Sequence, residues 1–187
     1  EWDGINSLDL NNKSQVILSP EKWQNSSDGS CSFKAAVSGD NLLMSIEVTD
    51  GQILTEEPNN DNVAIYYGDL SSNQGRRFRG GTINIPAQQE NGTVEGLTIR
   101  AGRSEIPIDN TIKSYYKKSQ NGYTVELSVP FQTLGFSSVP AKGSETGFEV
   151  VLTNAMKEGN STYQIGMSGT GSEVGYSANV FNRFEME

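Results

Sequence analysis

The sequence predicts an all-β fold, an antiparallel β-sandwich or jelly roll of about ten short strands with one short helical turn. Three observations carry that expectation. Apolar and polar residues alternate over short runs, Gly, Pro, Asn and Asp separate the runs, and 34% hydrophobic residues with 20 Gly in 187 suit strands and turns better than a helical bundle. The length favours one domain spanning 1–187, large enough for a substantial core.

The elements follow in order. Val16-Ile17-Leu18 before Pro20 and Phe33 to Val37 before Ser38-Gly39-Asp40-Asn41 read as strands. In Leu42 to Thr49, Leu42, Met44, Ile46 and Val48 share one face and Ser45, Glu47 and Thr49 the other. After a polar loop from Asp50 to Asn62, Val63, Ile65 and Tyr67 alternate with Ala64 and Tyr66 until Gly68-Asp69. Shorter candidates run through Thr82 to Ile85, Val94 to Arg100 and Ile112 to Lys117. The clearest strand is Tyr123 to Pro130. An Asn121-Gly122 turn introduces it, Tyr123, Val125, Leu127 and Val129 share a face, and Pro130 ends it because proline lacks an N–H. Phe131 to Gly135 then fits one helical turn closed by glycine. Gly147 to Asn154, Tyr163 to Met167 and Val180 to Met186 complete the strands.

Composition excludes several chemistries. A formal charge of −9 repels phosphate backbones and anionic membrane surfaces, which argues against a nucleic-acid partner. The sequence contains no histidine, so Ser-His-Asp, Cys-His and His-zinc arrangements are excluded. The single Cys31 has no thiol partner in the chain and reads as a small buried residue. No stretch is long and apolar enough for membrane insertion as a helix. An exported form would have lost its signal before this sequence begins.

Four segments, in this order, resemble the carbohydrate-binding module family 9 type of β-sandwich, a group related in fold to DOMON domains. They are Glu1-Trp2-Asp3-Gly4, Ser38 to Asp50 with its strand and acidic loop, Asn60-Asp61-Asn62-Val63-Ala64-Ile65-Tyr66-Tyr67, and Asn121 to Gly135 continued by Gly143 to Asn154. The resemblance implies a non-catalytic module that binds a polysaccharide or oligosaccharide. It would be secreted or displayed at the cell surface within a larger multidomain protein of a glycan-degrading system. Such modules commonly clasp a sugar between tryptophans, whereas here the only two are Trp2 and Trp23, and the usually acidic position in the third segment is Ala64.

The candidate sugar ligands are Tyr66, Arg77, Arg79 and Asn154. Tyr66 is out of phase with the apolar set of its strand and offers an aromatic face to the C–H side of a sugar ring. The family places a sugar-binding arginine near Arg77 and Arg79, and an Asn or Asp at the position of Asn154. The plainer reading is that Tyr66 covers the sheet, the arginines offset an acidic surface and Asn154 ends a strand. Oxygen-bearing side chains crowd the loop from Asp50 through Glu56, Glu57, Asn59, Asn60, Asp61 and Asn62, and Ca²⁺ prefers such ligands. With the calcium that the resemblance implies, Asp50 and Asp61 become the candidate metal ligands. A solvated acidic loop explains the same composition.

Other readings stay open at this point. A protein-interaction or structural module of a cell-surface protein needs no sugar site. Glu47, Glu126 and Glu149 on polar strand faces offer carboxylates for a glycoside hydrolase or lyase. Met44 matches the haem ligand of some DOMON relatives but lies on an apolar face. Asn-X-Ser/Thr acceptors at Asn12, Asn25, Asn91 and Asn160 are no more frequent than this composition produces by chance.

Overall fold

Period-two alternation leaves each strand one apolar side, and two sheets packed face to face bury those sides together. The computed structural model describes residues 2–56, 60–69, 80–156, 161–169 and 182–185, with the backbone alone described at 69, 145, 161 and 182–185. Its strands are β1 (Leu8–Leu10), β2 (Val16–Leu18), β3 (Gly29–Ser38), β4 (Asn41–Asp50), β5 (Asn62–Asp69), β6 (Gly81–Pro86), β7 (Thr98–Ala101), β8 (Ser104–Ile106), β9 (Lys113–Ser119), β10 (Gly122–Pro130), β11 (Glu145–Met156), β12 (Ser161–Gly166) and β13 (Asn182–Glu185). A 3₁₀ turn, Lys13–Gln15, precedes β2.

Five strands form sheet A in the order β1-β3-β4-β10-β9. The eight of sheet B run β2-β12-β11-β5-β6-β7-β8, with β13 paired to β11. Every strand pairing is antiparallel. Leu42, Met44, Ile46 and Val48 of β4 and Val125, Leu127 and Val129 of β10 share one buried cluster with Val63 and Ile65 of β5 and Val150 and Leu152 of β11. Phe33 of sheet A meets Phe148 of sheet B with ring centroids 5.6 Å apart, stitching the two sheets near the centre. Met44 and Cys31 are buried in this core. Burial pushes the Cys31 thiol up to about 12, helped by the nearby charges of Asp9 and Glu47, so it stays an inert thiol near neutral pH.

The alternating segments appear as strands, with particular exceptions. Val94 to Leu97 is irregular, and only Thr98–Ala101 pairs. Three-residue β1 and β8 carry too short a pattern to read from sequence. Phe131 to Gly135 makes a single turn and no helix. Leu134 N–H donates to Pro130 O at 3.2 Å, then Phe136 N–H to Phe131 O at 3.1 Å and Gly135 N–H to Gln132 O at 3.1 Å, a Schellman ending with Gly135 at φ +84°. The turn is over before a second helical bond can form.

Candidate functional site

The loop after β4 brings buried polar groups to one end of the sandwich. Asp61, fully buried, is wired on all sides. Its Oδ1 accepts Ala155 N–H at 2.6 Å, its Oδ2 accepts Leu54 N–H at 2.5 Å, and its own backbone bonds Leu54 O and Ala87 N. It therefore ties the loop to β11 and to the end of β6. Asp50, at the last position of β4, accepts Gln52 N–H on Oδ1 at 2.8 Å, while its Oδ2 is buried without a hydrogen-bond partner. Burial raises the pKa of both carboxyls, and Asp61 is pushed up to about 7 against the pull of its two amide donors, with Asp50 adding to the rise. Like charges this close do not both ionise readily in a dry site, so the pair keeps a proton near neutral pH.

Beside this pair opens a cavity of about 280 Å³ lined by Asp28, Asp50, Gly51, Gln52, Asn154, Ala155, Met156 and Tyr163. Tyr163 O–H and Asn154 Nδ2 both donate to Asp28 O, at 3.0 and 3.4 Å, and buried Trp23 donates its indole N–H to Gly29 O at 2.8 Å. Gly29 has no room for a side chain, because a Cβ there would overlap the Tyr163 hydroxyl. Tyr116 and Tyr123 stack at 4.9 Å, and their buried hydroxyls lack hydrogen-bond partners. Burial raises both phenols, Tyr116 to about 12, and the Asp50 and Asp61 charges add to that rise. Sequence reasoning missed Asp28, Gly29, Trp23 and Tyr163 at this end. Asp28 and Gly29 stand where β3 begins, whereas Trp23 is in the loop before it and Tyr163 is inside β12, so no shared local pattern marks the four.

Tyr66 is elsewhere. It lies half-buried on the outward face of sheet B, opposite Glu149 of β11 and Thr82 of β6. Asn154 has the parity of Phe148, Val150 and Leu152 and so belongs to the inward face, nearly buried. Tyr66 and Asn154, both expected as sugar ligands, are on opposite faces of sheet B. Arg77 and Arg79 lie outside the described residues. Around Tyr66 the outward face carries buried Glu149 and Val151 on the β11 side and half-buried Thr82 and Asn84 on the β6 side. The neighbouring rung runs Val151, Ala64, Asn84 and Thr98, and the next Gln164, Thr153 and Asn62.

The family model described as carbohydrate family 9 binding domain-like matches residues 1–182. The chain belongs to that family. This chain is a carbohydrate-binding module. No curated protein matches significantly. Among solved structures, a family 9 module from Caldicellulosiruptor kristjanssonii in complex with glucose aligns at TM-score 0.66 and 15% identity, covering 100% of this chain and 86% of that one. A family 9 module from the same organism in complex with cellotriose gives 0.67 and 16%, covering 100% and 84%. A Bacteroides uniformis protein described as carbohydrate-binding gives 0.65 and 10%, covering 99% and 88%. At these identities the structures establish a shared β-sandwich.

The calcium implied by the family resemblance fits Asp61 poorly, since each of its oxygens already accepts a backbone amide. Asp50 Oδ2 is one open oxygen where Ca²⁺ needs six to eight. Among the described residues no three or more acidic or cysteine side chains converge on one point. Of the carboxylates considered for hydrolysis, Glu47 and Glu126 are diagonal neighbours on adjacent strands of sheet A and Glu149 is apart from them. Glu149 is on sheet B and Glu47 and Glu126 on the far side of sheet A, with Glu126 accepting a hydrogen bond from Trp2.

Proposed function

We infer that this family 9 module holds a neutral gluco-oligosaccharide against the outward face of sheet B, with Tyr66 as its aromatic platform. The position of Tyr66 carries the reading. A half-buried aromatic ring stands on a face whose half-buried Asn62, Ala64, Thr82, Asn84, Thr153 and Gln164 stay in reach of solvent. The amides and hydroxyls match the hydroxyl groups of a sugar ring. The net charge of −9 favours an uncharged ligand. The two Caldicellulosiruptor complexes suggest glucose and cellotriose as first probes. Arg77 and Arg79, outside the described residues, are proposed as further sugar ligands. The module would serve as an extracellular anchor for a polysaccharide-degrading protein, raising its concentration on the glycan.

Calorimetry with glucose and cellotriose tests the site. Saturable heat is expected, with affinity falling about tenfold, roughly 1.4 kcal/mol, in Tyr66→Ala. Binding that Tyr66→Ala leaves unchanged would move the site off this face. No heat with either sugar on folded protein would overturn the ligand class and favour a protein-interaction module.

A further inference from the structure

The N-terminal segment places an aromatic ring on the opposite side of the sandwich. Trp2 Nε1 donates to Glu126 Oε1 at 2.9 Å, and the Trp2 carbonyl accepts from Lys34 Nζ at 3.4 Å and from Ile5 N–H at 3.3 Å. Cross-strand register puts Lys34 of β3, Ser45 of β4, Glu126 of β10 and Tyr115 of β9 on one outward rung of sheet A. Trp2 thus reaches both Lys34 and Glu126, and Tyr115 is the cross-strand neighbour of Glu126. Tyr115 is 50% exposed, the most exposed large hydrophobic side chain among the described residues. An isolated exposed tyrosine is unremarkable. A tyrosine next to the carboxylate that anchors a half-exposed tryptophan is a built pair.

We propose that Trp2 and Tyr115 form a second carbohydrate contact, on the outward face of sheet A, for a neutral polysaccharide chain. Aromatic rings take the C–H faces of sugars, and the Glu126 carboxylate, Ser45 hydroxyl and Lys34 ammonium between and beside them supply both acceptors and donors for ring hydroxyls. From Ser45 to Tyr115 the rung crosses two strand spacings, roughly 10 Å, which suits consecutive sugars of a chain better than one ring. Charge selects the class of polymer. Lys34, Lys113 and Lys117 on outward positions of sheet A are balanced by Asp9, Glu47 and Glu126, so the face has no net charge on a molecule that is −9 overall. An anionic glycan gains nothing here and is repelled at long range. The proposal rests on carbohydrate binding by the module but not on the Tyr66 face. Contacts on both faces would let one module bridge neighbouring chains.

The two tryptophans supply the readout. In a ¹H–¹⁵N spectrum of the full chain, the Trp2 indole N–H reports on sheet A, while that of buried Trp23, donating to Gly29 O, is an internal control. Trp2→Phe assigns the signals. Titration with cellohexaose is expected to move the Trp2 signal saturably and leave Trp23 in place, and Tyr115→Ala, a surface change, is expected to weaken that response about three- to tenfold. Glucose affinity is expected to be the same in Tyr115→Ala as in the parent. A Trp2 signal unmoved by cellohexaose, or a response indifferent to Tyr115→Ala, would overturn the proposal. Movement of the Trp2 signal without any glucose binding would support it while removing the Tyr66 reading alone.

Discussion

Asp61 and Glu149 are both fully buried carboxyls pushed up to about 7 by burial, yet they are wired differently. Asp61 spends its two oxygens on two separate amides from two segments, Leu54 in the loop and Ala155 in β11. Glu149 turns both oxygens to one short stretch of chain, the turn after β12, where Ser168 N–H lies at 3.0 and 3.2 Å and the Ser168 side chain and Met167 backbone add to the pull on its charged form. Equal burial and similar titration therefore conceal unequal structural roles. One carboxyl organises an end of the sandwich, and the other fastens one turn.

Asp61→Ala should have the largest consequence, because it strands two buried amide donors at once. A loss of about 3 kcal/mol or more is expected in denaturant unfolding. Glu149→Gln keeps one carbonyl oxygen for Ser168 N–H, so its cost at neutral pH should stay under about 1.5 kcal/mol. Equal losses in the two variants would break the contrast.

Titration sharpens it. Both carboxyls hold protons more tightly folded than unfolded, where they titrate near 3.8 and 4.5. In that interval the folded state binds more protons, so stability falls as pH rises. The contribution is complete below about pH 4 and is lost through about pH 7. Between pH 5 and 8, where ordinary carboxylates are already ionised, the unfolding temperature should fall with rising pH, and Glu149→Gln should remove part of that slope while leaving the Asp61 part. A flat parent profile would refute the paired protonation. The smallest effect is expected from chelation. EDTA should leave the unfolding temperature unchanged, whereas a drop of several degrees would show that the fold holds a cation.

Much of this molecule is written in its alternation. Leu42 to Val48 and Tyr123 to Val129 declared their buried sides because a strand turns successive side chains to opposite faces, and that parity also placed Tyr66 outward. The same rule put Asn154 inward, on the face away from Tyr66, which likeness of position in a family did not specify. The loop from Asp50 to Asn62 was legible as rich in oxygen. Its composition did not say that Asp61 would meet the amides of Leu54 and Ala155, because such bonds depend on where distant backbone arrives.

The sequence by itself determined the class of fold, the absence of histidine chemistry, the acidic surface and the inward set of each long strand, all of which follow from local pattern and composition. Tertiary structure alone decided which residues meet. Trp2 reaches Glu126 across 124 positions of chain, and Tyr163 reaches Asp28 across 135. Strand order and register bring these groups together, and no local periodicity encodes an encounter between segments so far apart along the chain.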